Sequence, residues 1–205
     1  MDLEIRELRP ADEKKAIGFA VEGMHLSWYA GTGWVARAYG RYFWWQELNR
    51  ATQVVAAYEG KRLVGVLLAT FEGEAPVRRS RLRAAYVRVV RWVVNTFFGG
   101  AEDVYDETCR ELYECAFHGA PPDGELTFLV ADPMLAGTGM GVGTFLVDEL
   151  ARREAGRRVF LYTDDGCTYQ FYDHRGFERL GERTVAHTIG ERTFPSRYLI
   201  YAKTL

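Results

Sequence analysis

The sequence predicts an α/β (α+β) fold with a mixed, mostly antiparallel central sheet flanked by helices, and three observations predict it. Gln53 to Tyr58 and Leu63 to Thr70 are β-rich runs joined by Glu59-Gly60-Lys61-Arg62, a hairpin signal. Glu125 to Ala131, a glycine-rich stretch from Gly137 to Gly143, an amphipathic run to Ala155 and Val159 to Thr163 read as strand, loop, helix, strand. Arg183 to Ile189 and Tyr198 to Ala202 then read as a closing hairpin around Gly190 and Pro195. One parallel crossover between two hairpins describes a mixed sheet.

The remaining elements follow in chain order. Residues 3–8 form a short strand, and Pro10-Ala11-Asp12 supplies a turn and cap for a helix running to about Gly23. His25 to Leu48, dense in tryptophan and tyrosine and broken by Gly31-Thr32-Gly33 and Gly40, reads as helix, loop, helix. Pro76 to Phe98 carries six arginines and no acid, while Ala101 to Gly119 carries six acids against one arginine. Both have helical apolar spacing, so a helical pair is inserted into the sheet order at about 76–120. A short helix through Tyr172 closes at Gly176. The whole chain, 1–205, is expected to be a single domain.

Composition narrows the function classes. With 48% hydrophobic residues the chain can bury a proper core. A net charge of -2 and a pI near 6.1 give no global pull toward nucleic acid. Cys109, Cys115 and Cys167 are too sparse for a disulfide framework, which suits a reducing cytoplasm. Cys109, Cys115 and His118 lack structural-zinc spacing, so no metal is expected. No apolar run reaches membrane-spanning length.

The glycine loop carries the strongest chemical signal. In Gly137-Thr138-Gly139-Met140-Gly141-Val142-Gly143-Thr144, glycine stands at every second position between a strand end and a helix start. Main-chain N–H groups so exposed, together with the first turn of the helix, suit a diphosphate held without lysine. A plain tight turn is the bland alternative. No Lys-Ser/Thr pair follows, which argues against a nucleoside-triphosphate loop. A dinucleotide site stays open, because Asp164 and Asp165 end the next strand where a ribose-binding acid would sit. Against it, two mononucleotide halves are not found.

At this point the residues resemble the GNAT superfamily of acetyl-CoA-dependent N-acetyltransferases. The resemblance rests on the glycine loop followed by Tyr172-Asp173-His174-Arg175-Gly176-Phe177, on Glu4-Ile5-Arg6 followed by Asp12, and on the element order outside the insert. It implies a splayed pair of parallel strands, with Leu129, Val130 and Ala131 presenting main-chain groups to a pantetheine arm. The family's loop pattern fits in two registers, Thr138, Gly141 and Gly143 or Ala136, Gly139 and Gly141, and the first is preferred. Acetyl-CoA is the implied cosubstrate, and a primary amine of a small molecule or peptide the acceptor. An alkyl ammonium of pKa about 10 must lose a proton and the leaving thiolate must gain one. The resemblance assigns Tyr172 as general acid, with Tyr169 its nearest substitute, and places Phe171 along the cofactor groove. Glu125, thirteen residues before Thr138, is the candidate base, with water an equal alternative. A non-catalytic acyl-CoA-binding module is the competing reading of the same residues.

Strict strand alternation would put Glu125, Thr127 and Leu129 on one face and Leu126, Phe128 and Val130 on the other. Asp164 and Asp165 read best as caps ahead of the next helix, and Cys167 as packing. Trp28, Trp34, Tyr42, Trp44 and Trp45 are candidate substrate walls, most of them core by spacing. The apolar, arginine-striped helix of the insert needs a cover: the acidic helix beside it, a homodimer face or an anionic membrane surface. Pairing with the acids, within the chain or between subunits, is the expected choice.

Overall fold

The computed structural model describes residues 2–23, 33–97, 101–189 and 192–205. In chain order the elements are β1 (Leu3–Arg6), α1 (Glu13–Gly23), α2 (Trp34–Arg50), β2 (Gln53–Glu59), β3 (Arg62–Phe71), α3 (Arg81–Phe97), α4 (Ala101–Ala116) and β4 (Gly124–Ala131), followed by α5 (Val142–Arg153), β5 (Arg158–Asp164), α6 (Gln170–His174), β6 (Glu178–Ile189) and β7 (Arg192–Thr204). Short 3-10 turns occupy Pro10–Asp12 and Pro133–Leu135. The strands form a seven-stranded sheet in the order β1-β2-β3-β4-β5-β7-β6, antiparallel throughout except for β4 and β5. The closing hairpin is longer than its apolar pattern suggested, pairing from Glu178↔Ala202 to Ile189↔Arg192. Arginines and glutamates at its outer positions mask the alternation on this edge strand.

Alternating side chains divide the core between the two faces of the sheet. On one face Val55, Ala57, Leu67 and Leu199 pack with Val142, Leu146, Val147 and Leu150 of α5. On the other, Ala56, Tyr58, Val66 and Leu68 pack with Ala16, Phe19 and Ala20 of α1 and Trp44 and Leu48 of α2. On that same second face, farther along the sheet, Leu112 of α4 covers Tyr198 and Ile200 of β7. Gly65 lets α5 approach closely, since a Cβ there would lie 2.5 Å from Val142 Cγ1 and 3.0 Å from Leu146 Cδ1. The start of α5 is thereby pressed onto β3.

Both helices of the insert form, and several of their charges pair with other elements. Arg78 pairs with Glu7 and Arg83 with Glu13, each at 2.7 Å. On the acidic helix, Glu111 pairs with Arg183 of β6. α3 lies against α2, where Tyr86 stacks edge-on on Trp45 at 4.8 Å, whereas α4 lies on β6 and β7.

Candidate functional site

The site begins where two strands stop pairing. β4 and β5 are joined only at Gly124↔Val159 and Glu125↔Phe160, after which β4 continues against β3 and β5 against β7. A β-bulge accompanies the parting: Leu68 pairs with Phe128 and Ala69 with Leu126, so Thr127 is the extra residue. The bulge breaks the alternation expected from sequence. Leu126 faces the α5 core, while Phe128 and Val130 face α1 and α2. Beyond the bulge Leu129 and Ala131 return to the α5 side, half-buried, and line the notch from β4.

The chain leaves β4 through a buried anchor that sequence reading missed. Asp132 accepts from Arg62 Nη2 at 2.6 Å and from Met134 N–H at 3.0 Å, with Lys15 Nζ at 3.7 Å. Burial opposes its charge, but the Arg62 and Met134 hydrogen bonds and the two cations hold it below the usual carboxylate range. The loop that follows is thus fixed at its root.

Gly137, Gly139 and Gly141 take φ of 74°, 71° and 67°, the left-handed region that other residues enter at a cost. A Cβ would meet nothing within 4 Å at Gly137 or Gly139, so conformation rather than space demands glycine there. Gly141 is the N-cap of α5 and its carbonyl accepts from Phe145 N–H at 2.9 Å. Thr138 turns inward, donating through both N–H and Oγ1 to the Leu135 carbonyl. Among the described residues, the N–H groups of Gly137, Gly139, Met140, Gly141, Val142, Gly143 and Thr144 donate to no acceptor. An exposed row of donors at the positive end of a helix is an arrangement that suits an anion. Gly143 serves a separate need, because a Cβ there would lie 3.2 Å from the Phe171 ring.

The Tyr-x-x-x-Gly-Phe segment proves to be a helix stop. Gly176, at φ 71°, donates to the Asp173 carbonyl at 3.2 Å, and Phe177 N–H reaches back to the Tyr172 carbonyl at 3.0 Å. The Phe177 ring stacks on Tyr172 at 5.5 Å, completing a Schellman cap with its apolar contact. Tyr172 is further enclosed by Phe171 at 5.3 Å and Tyr201 at 5.8 Å. Among the described residues its hydroxyl makes no hydrogen bond. Burial, with Cys167 adding, pushes the phenol above the ordinary tyrosine range, so it stays protonated at neutral pH. Tyr169, in contrast, is engaged: its hydroxyl accepts from Arg197 Nη2 at 3.0 Å.

Leu129, Ala131, Met140, Phe171 and Tyr172 therefore come together as half-buried residues on the α5 face. Val130 points its side chain to the opposite face and offers the notch only its main chain. Glu125 also lies on the opposite face, at the apex of the parted strands, accepting from Arg50 Nη1 at 2.8 Å. Arg50 also holds the buried Glu47 at 2.8 Å. Sequence reading passed over both, although their i, i+3 spacing on a helix was a signal.

Asp164 and Asp165 are committed to turns. Asp164 Oδ1 accepts from Gly166 and Cys167 N–H, and Asp165 Oδ1 from Arg197 N–H. The cap expected ahead of α6 is thus made to the turn before it. Burial and Asp164 push the Cys167 thiol up to about 12, which keeps it protonated at neutral pH. Tyr42 and Trp44 are core, and Trp45 is half-buried against α3. Trp28 and the Trp34 side chain lie outside the described residues. Among the described residues no group of acids, histidines and cysteines is placed to hold a metal, and no helix is long and apolar enough to cross a membrane.

Solved structures share this architecture over the whole chain. The C-terminal condensation domain of Ebony in complex with beta-alanyl-dopamine matches with a TM-score of 0.61 at 15% identity, covering 100% of both chains. A Corynebacterium glutamicum structure described as histone acetyltransferase HPA2 and related acetyltransferase matches at 0.58 and 19% identity, over 100% of this chain and 97% of its own. The paia N-acetyltransferase from Thermoplasma acidophilum in complex with coenzyme A matches at 0.53 and 15% identity, over 100% of both. No protein-family model and no curated protein matches the sequence. At these identities the likeness establishes architecture: the chain has the GNAT fold, with its mixed seven-stranded sheet and parted parallel pair.

Proposed function

We propose that the chain is an acetyl-CoA-dependent N-acetyltransferase that moves acetyl directly from the thioester to a primary amine of a small molecule or peptide. The observation that carries this reading is the row of N–H groups at Gly137 and from Gly139 to Thr144 that find no acceptor among the described residues, beside a parted parallel strand pair. In this reading the diphosphate of coenzyme A sits on the glycine loop in the register Thr138, Gly141 and Gly143. That register is supported by the helix start at Val142, which places Gly141 as cap and Gly143 against Phe171. The pantetheine arm follows the main chain of Leu129, Val130 and Ala131, where β4 has lost its β5 partner.

Acetyl-CoA supplies an activated acyl group, and the residues of the chain manage the protons. Tyr172, uncommitted and protonated, donates to the departing sulfur. Glu125, directly or through water, receives the proton of the ammonium group. The three free cysteines suit a cytoplasmic, single-domain enzyme.

Calorimetric titration with acetyl-CoA, CoA and NAD(P), combined with thiol release across a panel of amines, tests the assignment. CoA and acetyl-CoA are expected to bind, and thiol to appear with the right amine. NAD(P) binding without CoA binding would overturn the reading, and CoA binding without thiol release from any amine would leave a non-catalytic acyl-CoA module.

A further inference from the structure

Among the described residues α3 is covered on one side and bare on the other. Toward α2, Tyr86 stacks on Trp45 at 4.8 Å and Arg91 Nη2 donates to Gln46 Oε1 at 2.8 Å, while Arg83 pairs with Glu13 at 2.7 Å. Toward solvent, Leu82, Val89 and Trp92 are 84%, 61% and 64% exposed, with Val93 beside them at 36%. With the exposed Ala85 these residues recur at spacings of three and four, so they form one apolar stripe along the helix.

The charges beside the stripe are of one sign. Pro76 to Phe98 carries six arginines and no acid. Arg78 and Arg83 are taken up by Glu7 and Glu13, whereas Arg79, Arg81 and Arg88 are exposed and make no ion pair among the described residues. Arg81 and Arg88 stand about two turns apart, on one border of the stripe. Arg88 also borders a cleft between α2 and α3 that Arg91, Gln46 and Asn49 line with polar groups.

Unpaired cations call for an anionic partner, and the stripe between them calls for one that also supplies apolar atoms. An anionic bilayer surface offers both, phosphates at headgroup depth and acyl chains just beneath. The acidic helix α4 of a second copy would answer the arginines with Asp106, Glu107 and Glu114, but Tyr105 is its one exposed large apolar residue among those described. No described helix is long and apolar enough to cross a membrane, so a 17-residue helix of this kind lies along the surface.

We propose that the solvent face of α3 docks the protein on anionic lipid bilayers. Leu82, Val89, Trp92 and Val93 enter the headgroup boundary, and Arg79, Arg81 and Arg88 meet lipid phosphates. The chain's net charge of -2 gives no general attraction to such a surface, so binding depends on this patch.

Cosedimentation of the full chain with vesicles tests the proposal, and it needs no acetyl-CoA. The protein should sediment with vesicles of phosphatidylcholine and phosphatidylserine and stay in solution with phosphatidylcholine alone, and added salt should release it. Arg81→Gln with Arg88→Gln should weaken partitioning about 25-fold, about fivefold for each arginine. Leu82→Glu with Val89→Glu should weaken it about 10-fold or more. All four positions are outside the core, and circular dichroism checks that both variants fold. Failure of the unmodified protein to bind the phosphatidylserine vesicles, equal binding to neutral vesicles, or undiminished binding by the folded variants overturns the proposal. Self-association in analytical ultracentrifugation that Leu82→Glu with Val89→Glu abolishes, with no vesicle binding, also overturns it and assigns the face to a second copy.

Discussion

The two faces of the sheet treat their polar groups in opposite ways. On the α5 and α6 face, the glycine-loop N–H groups other than that of Thr138 and the Tyr172 hydroxyl find no partner among the described residues, although they sit beside a dense apolar core. On the α1, α2 and α4 face, the Glu47, Arg50 and Glu125 side chains are tied to one another. Native proteins satisfy nearly all their sheltered polar groups. The first face thus holds donors that an anionic ligand could take up, whereas the second holds charges that are already paired within the chain.

Gly141→Val offers the most severe test of the contrast. A β-branched side chain at φ 67° strains the N-cap of α5 and turns the N–H row away, so acetyl-CoA affinity should fall about 100-fold by calorimetry. Gly60, at φ 58° and with open space around it, is the control. The same substitution there should cost stability and leave CoA binding intact.

Tyr172→Phe should lower kcat by about 10²–10³ while the KM for acetyl-CoA stays constant. Tyr169→Phe should do much less, because that hydroxyl is held by Arg197. Equal losses in the two variants would remove the special status of the uncommitted phenol.

Asp132→Asn sharpens the comparison at its root, where the loop is anchored by a satisfied group. The variant should be destabilised at pH 7 by about 1–3 kcal/mol in urea unfolding. Because the folded pKa is depressed, the stabilisation is complete above the ordinary aspartate value of about 3.9 and fades as pH falls below it. The gap between the two proteins should therefore shrink at pH 3.

Much of the α5 face was legible in the sequence because its interactions are local. The Schellman cap from Tyr172 to Phe177 closes within six residues, and the positive-φ glycines sit in one short loop. The elements of the insert were legible as helices for the same reason. Their partners were not: Arg78 and Arg83 found Glu7 and Glu13, each about 70 positions away in the chain. The bulge at Thr127 was hidden because it is a mismatch in length between β4 and β3, which neither strand records by itself.

Turn chemistry, apolar periodicity and glycine placement determined on their own that a strand, a glycine loop, a helix and a capped short helix would follow one another. Only the tertiary structure decided that β4 parts from β5 after two residue pairs, that Leu126 and Phe128 face opposite ways, and that Arg50 meets both Glu47 and Glu125. The division has a physical cause. Backbone preferences act over one or two turns of chain, whereas strand pairing and shared ion pairs join segments whose separation in sequence carries no record of their meeting.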